Sequence, residues 1–188
     1  MSTIFIIHGS FGNPSENWFP WLKSKLEELG HEVFVPTFPT PDEQSLENWL
    51  KVFEPYKSKI KEDTIFVGHS LGPAFILSIL EKINTKIKSA FFVSGFISKI
   101  ANPDFEEINK TFVEKEFDWK KIKQNCNKFT IFHSDNDPYV PIEKVKELIL
   151  KLDPKNVDFF IVPKAGHFNK ESGFTDFESL LKEVKKII

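Results

Sequence analysis

Gly68-His69-Ser70-Leu71-Gly72 fits the pattern G-x-S-x-G. A serine in such a turn can act as a nucleophile if the backbone holds its hydroxyl clear and a base stands within reach. The pattern alone is common, with about one chance match in 15–20 chains of this length. Its context is more specific. It follows the apolar run Thr64–Val67 and opens an apolar helical pattern over Leu71–Ile83, which is the strand–turn–helix setting of a nucleophile elbow. In so tight a turn, side chains at positions 68 and 72 would strike neighbouring strand and helix backbone. The helix start leaves N–H groups unpaired, so the Leu71 N–H is a ready donor to an oxyanion.

A serine hydroxyl needs a base. Of the five histidines, His167 lies in Pro163-Lys164-Ala165-Gly166-His167-Phe168, a loop leaving the carboxyl end of an apolar run. Ligands and reacting groups gather at such ends in open α/β sheets. His167 is therefore assigned as the base. His133 is a weaker candidate, His69 should point away from the serine, and His8 should orient its own loop. The base needs a carboxylate to fix its tautomer. Asp137 is assigned, with Asp135 as the alternative; both lie in Ser134-Asp135-Asn136-Asp137-Pro138. The chain order is then Ser70, Asp137, His167. The second oxyanion donor should come from His8-Gly9-Ser10-Phe11-Gly12, through the N–H of Ser10 or of Phe11.

Each of these residues has a plainer reading. Ser70 could be a small turn residue, His167 a solvated loop histidine, and Asp137 a turn former before proline. The ordered match of all three is what favours the chemical reading. Phe96 and Phe168 follow strand ends and could line a substrate pocket. Trp18, Trp21 and Trp49 sit at helical spacing and read as core or pocket wall. Cys126 reads as an inert buried thiol, and the lysines at 120–128 as a solvated face.

These loops need a scaffold that delivers them to one edge. Short β-branched runs alternate with helical patterns. Strands are expected over Thr3–Ile7, Glu32–Val35, Thr64–Val67, Ser89–Val93, Phe129–Phe132 and Asp158–Val162. Helices are expected over Trp18–Leu29, Ser45–Tyr56, Leu71–Ile83, Ile142–Leu152 and Phe174–Ile188. Residues 95–128 read as helical or loop material. The alternation implies βαβ units and a doubly wound, mostly parallel six-stranded sheet in one domain over residues 1–188.

Composition narrows the function. Of 188 residues, 40% are hydrophobic and 28% charged, which is ordinary for a globular chain. The net charge of −2 disfavours a nucleic-acid or polybasic membrane partner. All 25 basic residues are lysine, so no arginine clamp on phosphate or guanine is available. No G-x-G-x-x-G or P-loop lysine follows the first run. One cysteine excludes an internal disulfide and a multi-cysteine zinc site, and no histidine pair at ligand spacing suggests a metal. No basic n-region and no long apolar stretch is present, so a cytoplasmic location is expected.

On His8-Gly9, Gly68-His69-Ser70-Leu71-Gly72, Asp137-Pro138-Tyr139-Val140-Pro141 and Gly166-His167-Phe168, the chain resembles the α/β-hydrolases. More narrowly, it resembles the small, nearly lidless serine hydrolases of the retinoblastoma-binding-protein and YdeN type. The resemblance spans almost the whole chain. It implies a triad of Ser70, Asp137 and His167 and an esterase- or peptidase-like activity without a cofactor. The motif L-x-C-x-E is absent, so that family's protein partner is not carried over. A carboxylesterase-like hydrolase of small acyl substrates is expected. Thioesterase, amidase and acyltransferase outcomes share the same residues, and an inactive binding module on the same fold is the rival of another class.

Overall fold

A computed structural model describes all residues from Met1 to Ile188. Six strands form one parallel sheet: β1 (Thr3–Ile7), β2 (Glu32–Phe34), β3 (Ile65–His69), β4 (Ser89–Val93), β5 (Phe129–Ser134) and β6 (Val157–Val162). Their order is β2-β1-β3-β4-β5-β6, and every neighbouring pair is parallel. The chain runs outward from β1 to β2, then returns to place β3 on the other side of β1. The order thus reverses between β1 and β3, and the crevice at their carboxyl ends is where such sheets hold ligands.

Seven α-helices cover the sheet: α1 (Phe19–Glu28), α2 (Leu46–Phe53), α3 (Gly72–Leu80), α4 (Pro103–Val113), α5 (Trp119–Gln124), α6 (Ile142–Leu152) and α7 (Glu178–Lys185). Strand alternation sends Ile4 and Ile6 to one face and Phe5 and Ile7 to the other. The first face packs on Phe19, Leu22 and Leu26 of α1 and on Leu180, Leu181 and Val184 of α7. The second packs on α2, α3, α4, α5 and α6 and is dense with rings, among them Phe38, Trp49, Phe53, Phe75 and Phe112. Every residue of α3 is buried, as an all-apolar helix requires. That fixes the segment leading out of Ser70.

Several boundaries differ from the sequence reading for local reasons. The pattern over Ser45–Tyr56 ends as α-helix at Phe53 and tightens into a 3₁₀ turn over Glu54–Lys59, where Pro55 has no N–H to give. The closing helix starts at Glu178. Before it, Asn169 caps a 3₁₀ turn over Lys170–Ser172 that stops at Gly173 with φ +87°. Residues 95–128 resolve into two short helices, α4 capped by Asn102 and α5 by Asp118.

Candidate active site

Ser70 sits between β3 and α3 with φ +57°, a left-handed conformation that costs energy for a serine and persists only where its surroundings enforce it. They do. A Cβ at Gly72 would lie 2.6 Å from the carbonyl oxygen of Ile7 in β1, and one at Gly68 would lie 2.8 Å from the Pro73 nitrogen. The glycines let the turn pass under β1 and α3, as expected. The loop after β1 comes equally close: a Cβ at Gly9 would stand 2.6 Å from Ser70 Cβ.

His167 leaves β6 on the loop expected, and its Nδ1 meets Asp137 Oδ2 at 2.9 Å and Oδ1 at 3.1 Å. Asp137 is 1% exposed at its side chain. Burial alone would raise its carboxyl; the hydrogen bond and charge of His167, with the Val140 N–H, outweigh it and hold the group down at about 2. Asp135 stands elsewhere: its Oδ1 accepts the Lys164 N–H at 2.7 Å. Ser134 Oγ takes the Ala165 N–H at 3.0 Å and Asn136 Oδ1 the Gly166 N–H at 2.8 Å. Three successive side chains from the last residue of β5 onward thus bind three successive N–H groups before His167.

The other histidines divide as their positions suggest. His69 Nε2 donates to the His167 carbonyl at 2.7 Å, and the two rings lie 4.8 Å apart. Burial, with the neighbouring imidazole, pushes His69 down to about 3, so it stays neutral. Tyr139 packs edge-on to His167 at 5.0 Å. His8 Nδ1 donates to the Gly9 carbonyl at 2.8 Å, and its Nε2 accepts the Phe38 N–H at 3.1 Å. These partners fix a neutral tautomer and orient the loop after β1. His133 is fully buried and off the cavity. Cys126 is buried, with its thiol pushed up to about 12 by desolvation.

Of the two candidate donors after β1, Phe11 N–H is already taken by Thr40 Oγ1 at 2.7 Å. The Ser10 N–H has no acceptor within the chain, and neither has that of Leu71. Ser10 is held in place by its side chain. Its Oγ donates to Asn109 Oδ1 on α4 at 2.6 Å, and Gln44 Nε2 reaches Ser10 Oγ, the Ile108 carbonyl and Asn109 Oδ1 at 2.9–3.0 Å.

Ser70 and His167 open into one cavity of about 390 Å³ beside Gly9, Ser10, Phe11 and Gly12. Phe96 and Phe168 do not line it. Phe96 is 1% exposed within the larger hydrophobic core, and Phe168, at φ +52°, turns inward to stack on Phe177 at 5.1 Å. The aromatic wall consists of Phe11, Phe105 and Tyr139 instead. Glu16, Asn17, Lys170 and Glu171 also line the cavity and carry no motif in the sequence. The only available signal was their place in loops next to Ser10 and His167.

Comparison with known proteins bears on the family and the fold. YdeN of Bacillus subtilis (strain 168) is 31% identical over 174 residues, spanning 92% of this chain and 88% of YdeN. The crystal structure of the B. subtilis ydeN gene product matches with a TM-score of 0.91 at 28% identity, covering 100% of this chain and 98% of that one. The serine hydrolase RBBP9 of Rattus norvegicus is 27% identical over 186 residues, covering 97% and 94%. Est1E of Butyrivibrio proteoclasticus, solved with ferulic acid bound, shares the fold at a TM-score of 0.73 and 16% identity, covering 99% and 87%. The profile of the family described as serine hydrolase matches residues 4–186, from β1 to the end of α7. The elbow, the sheet that carries it and this near-complete match lead to one assignment: the chain is a hydrolase of the serine hydrolase family, on an α/β-hydrolase fold.

Proposed function

We propose that the protein cleaves small ester or related acyl substrates through an acyl-enzyme, with Ser70 as nucleophile, His167 as base and then acid, and Asp137 as the carboxylate that orients it. The observation that carries this reading is the His167–Asp137 hydrogen bond at 2.9 Å beside a serine strained at φ +57°, with Ser70 and His167 lining one cavity. Ser70 Oγ attacks the substrate carbonyl while His167 Nε2 takes its proton. Asp137 stabilises the imidazolium without taking a proton itself. The N–H groups of Ser10 and Leu71 receive the oxyanion. His167 then protonates the leaving group, and water, activated by the same imidazole, releases the acid. The Ser70 hydroxyl is not hydrogen-bonded to His167 in the free chain; such bonds tighten once substrate is in place. A cavity of about 390 Å³ suits a small acyl group.

The test is labelling with a fluorophosphonate probe, followed by peptide mapping. Wild-type protein should be labelled at Ser70 and should hydrolyse p-nitrophenyl acetate. Ser70→Ala should keep its circular dichroism spectrum, lose labelling, and lose at least about 10³-fold in kcat/KM. A wild-type protein inert to the probe would mark a binding module on this fold. Labelling that survives in the variant would remove Ser70 from the chemistry.

A further inference from the structure

The cavity beside Ser70 contains a charge that acyl transfer does not use. Glu16 lies between the loop after β1 and α1, is half-buried, and lines that cavity. Its Oε2 accepts a hydrogen bond from Asn13 Nδ2 at 3.1 Å, and it has no ion-pair partner. Its Oε1 leans over the loop that carries Ser10, 2.8 Å from the point a Cβ on Gly12 would occupy. Glu171 lines the same cavity, tied to Asn169 Nδ2 at 2.8 Å. Burial pushes the Glu16 carboxyl above its ordinary value; the Asn13 contact opposes that, and the charge of Glu171 adds to it. Lys170 completes the charged lining and is exposed at the rim. Lys170 pairs with neither carboxylate, so the lining carries two negative charges and one positive.

A half-buried carboxylate without a counter-ion costs folding free energy. It also opposes the proposed reaction. Negative charge grows on the substrate oxygen at the N–H groups of Ser10 and Leu71, and a fixed carboxylate on the adjoining loop raises the energy of that charge. For a neutral ester, Glu16 is a disadvantage on both counts. A positive charge on the substrate reverses both. A second and different feature points the same way. Phe11, Phe105 and Tyr139 line the cavity as a chain of rings, with centroids 5.5 Å and 5.8 Å apart. Phe11 remains 49% exposed there. Aromatic faces beside a carboxylate are the surroundings that an organic ammonium ion prefers.

The location narrows the choice further. Asn17, next to Glu16, accepts the Lys170 N–H at 2.8 Å, so the segment that carries Glu16 is tied to the segment that follows His167 and carries Glu171. His167 hands its proton to the departing group. We propose that the site selects esters whose leaving group carries an alkylammonium, and that Glu16 is the residue that reads this charge. The proposal rests on the acyl-transfer reading above.

The experiment compares acetylthiocholine with S-(3,3-dimethylbutyl) thioacetate, its uncharged carbon isostere, by release of free thiol at low salt. Wild-type protein should favour the cation by about tenfold or more in kcat/KM, and high salt should narrow the ratio. Glu16→Gln should bring the ratio close to one, whereas Glu16→Asp, which keeps the charge, should retain most of it. A wild-type ratio near one, or a preference that survives in Glu16→Gln, overturns the proposal. Fluorophosphonate labelling and p-nitrophenyl acetate turnover run alongside separate the two readings. Protein that fails both has lost the hydrolase reading of the site. Protein that passes both without charge preference has lost only the role given to Glu16.

Discussion

Oδ1 of Asp137 accepts the Tyr139 and Val140 N–H groups at 2.9 Å and 3.0 Å, closing its own turn, while Oδ2 is left for His167 Nδ1. The turn-forming role of an aspartate before proline and the role proposed for Asp137 are therefore compatible, since Oδ1 closes the turn while the carboxylate still meets His167 Nδ1. This bears on substitution. Asp137→Asn keeps an oxygen for the turn but can offer His167 an N–H where an acceptor is needed, which favours the wrong tautomer. We expect kcat to fall on the order of 10⁴-fold with little change in fold, read from steady-state rates and a thermal melt. A fall of only a few-fold would mean that another acceptor orients the imidazole. Asp135 is the nearest rival by sequence, yet its carboxylate is occupied by the Lys164 N–H.

Elements meet in this site through loops rather than through helix or strand surfaces. Ser134, Asp135 and Asn136 tie the loop after β5 to the loop after β6, and Gln44 ties the loop after β1 to α4. Asn136→Ala frees the Gly166 N–H next to His167. Because misplacement by about 1 Å can cost about 10²-fold, kcat should fall roughly 10- to 100-fold while KM moves far less. An unchanged kcat would show that His69 and Tyr139, packed on the His167 ring, are enough to position it. These ties also mark what could be read beforehand. The four inner strands were legible because buried parallel strands are apolar runs between turn residues, and the half-buried edge strands β2 and β6 still carry Val, Phe and Ile. Ser70, Asp137 and His167 were legible because each sits where such a strand stops. The aromatic wall was not. Phe105 depends on where α4 lies against the sheet, and the segment from 95 to 128 contains no strand to fix a register. Phe96 and Phe168 follow strand ends as expected, but both turn into the core, Phe168 at φ +52°. The choice between Ser10 and Phe11 rested on Thr40, thirty residues from Ser10 and invisible to any local pattern.

Across the whole molecule, three buried histidines make folding sensitive to mild acid. His8, His69 and His133 all lie inside, and desolvation lowers each below its ordinary value, His69 to about 3. In the unfolded chain each titrates near 6.5. Below that pH the unfolded state binds protons that the folded state refuses, so stability falls as pH falls. Each such proton removes about 1.4 kcal/mol per pH unit. His69, held at about 3, bears that slope over the range below 6.5, and His8 and His133 add to it in the same direction, against a total of about 5–15 kcal/mol for a typical domain. Asp137 adds a later loss, as pH drops through its unfolded value near 3.8 toward about 2. Glu16 acts in the opposite sense, because its raised carboxyl favours the folded state as it protonates. One acid cannot offset three imidazoles, and it titrates lower. Urea midpoints should therefore be flat at and above about pH 7.5 and fall steeply below about pH 6. His133→Phe is the control. Neither ring nitrogen of His133 has a hydrogen-bond partner, and it lies off the cavity, so its replacement removes one buried titrating group. The variant should show a shallower acid slope. A midpoint constant from pH 7.5 to 5 would mean that these imidazoles take up protons without unfolding, through openings at the sheet's carboxyl edge that leave the rest of the fold intact.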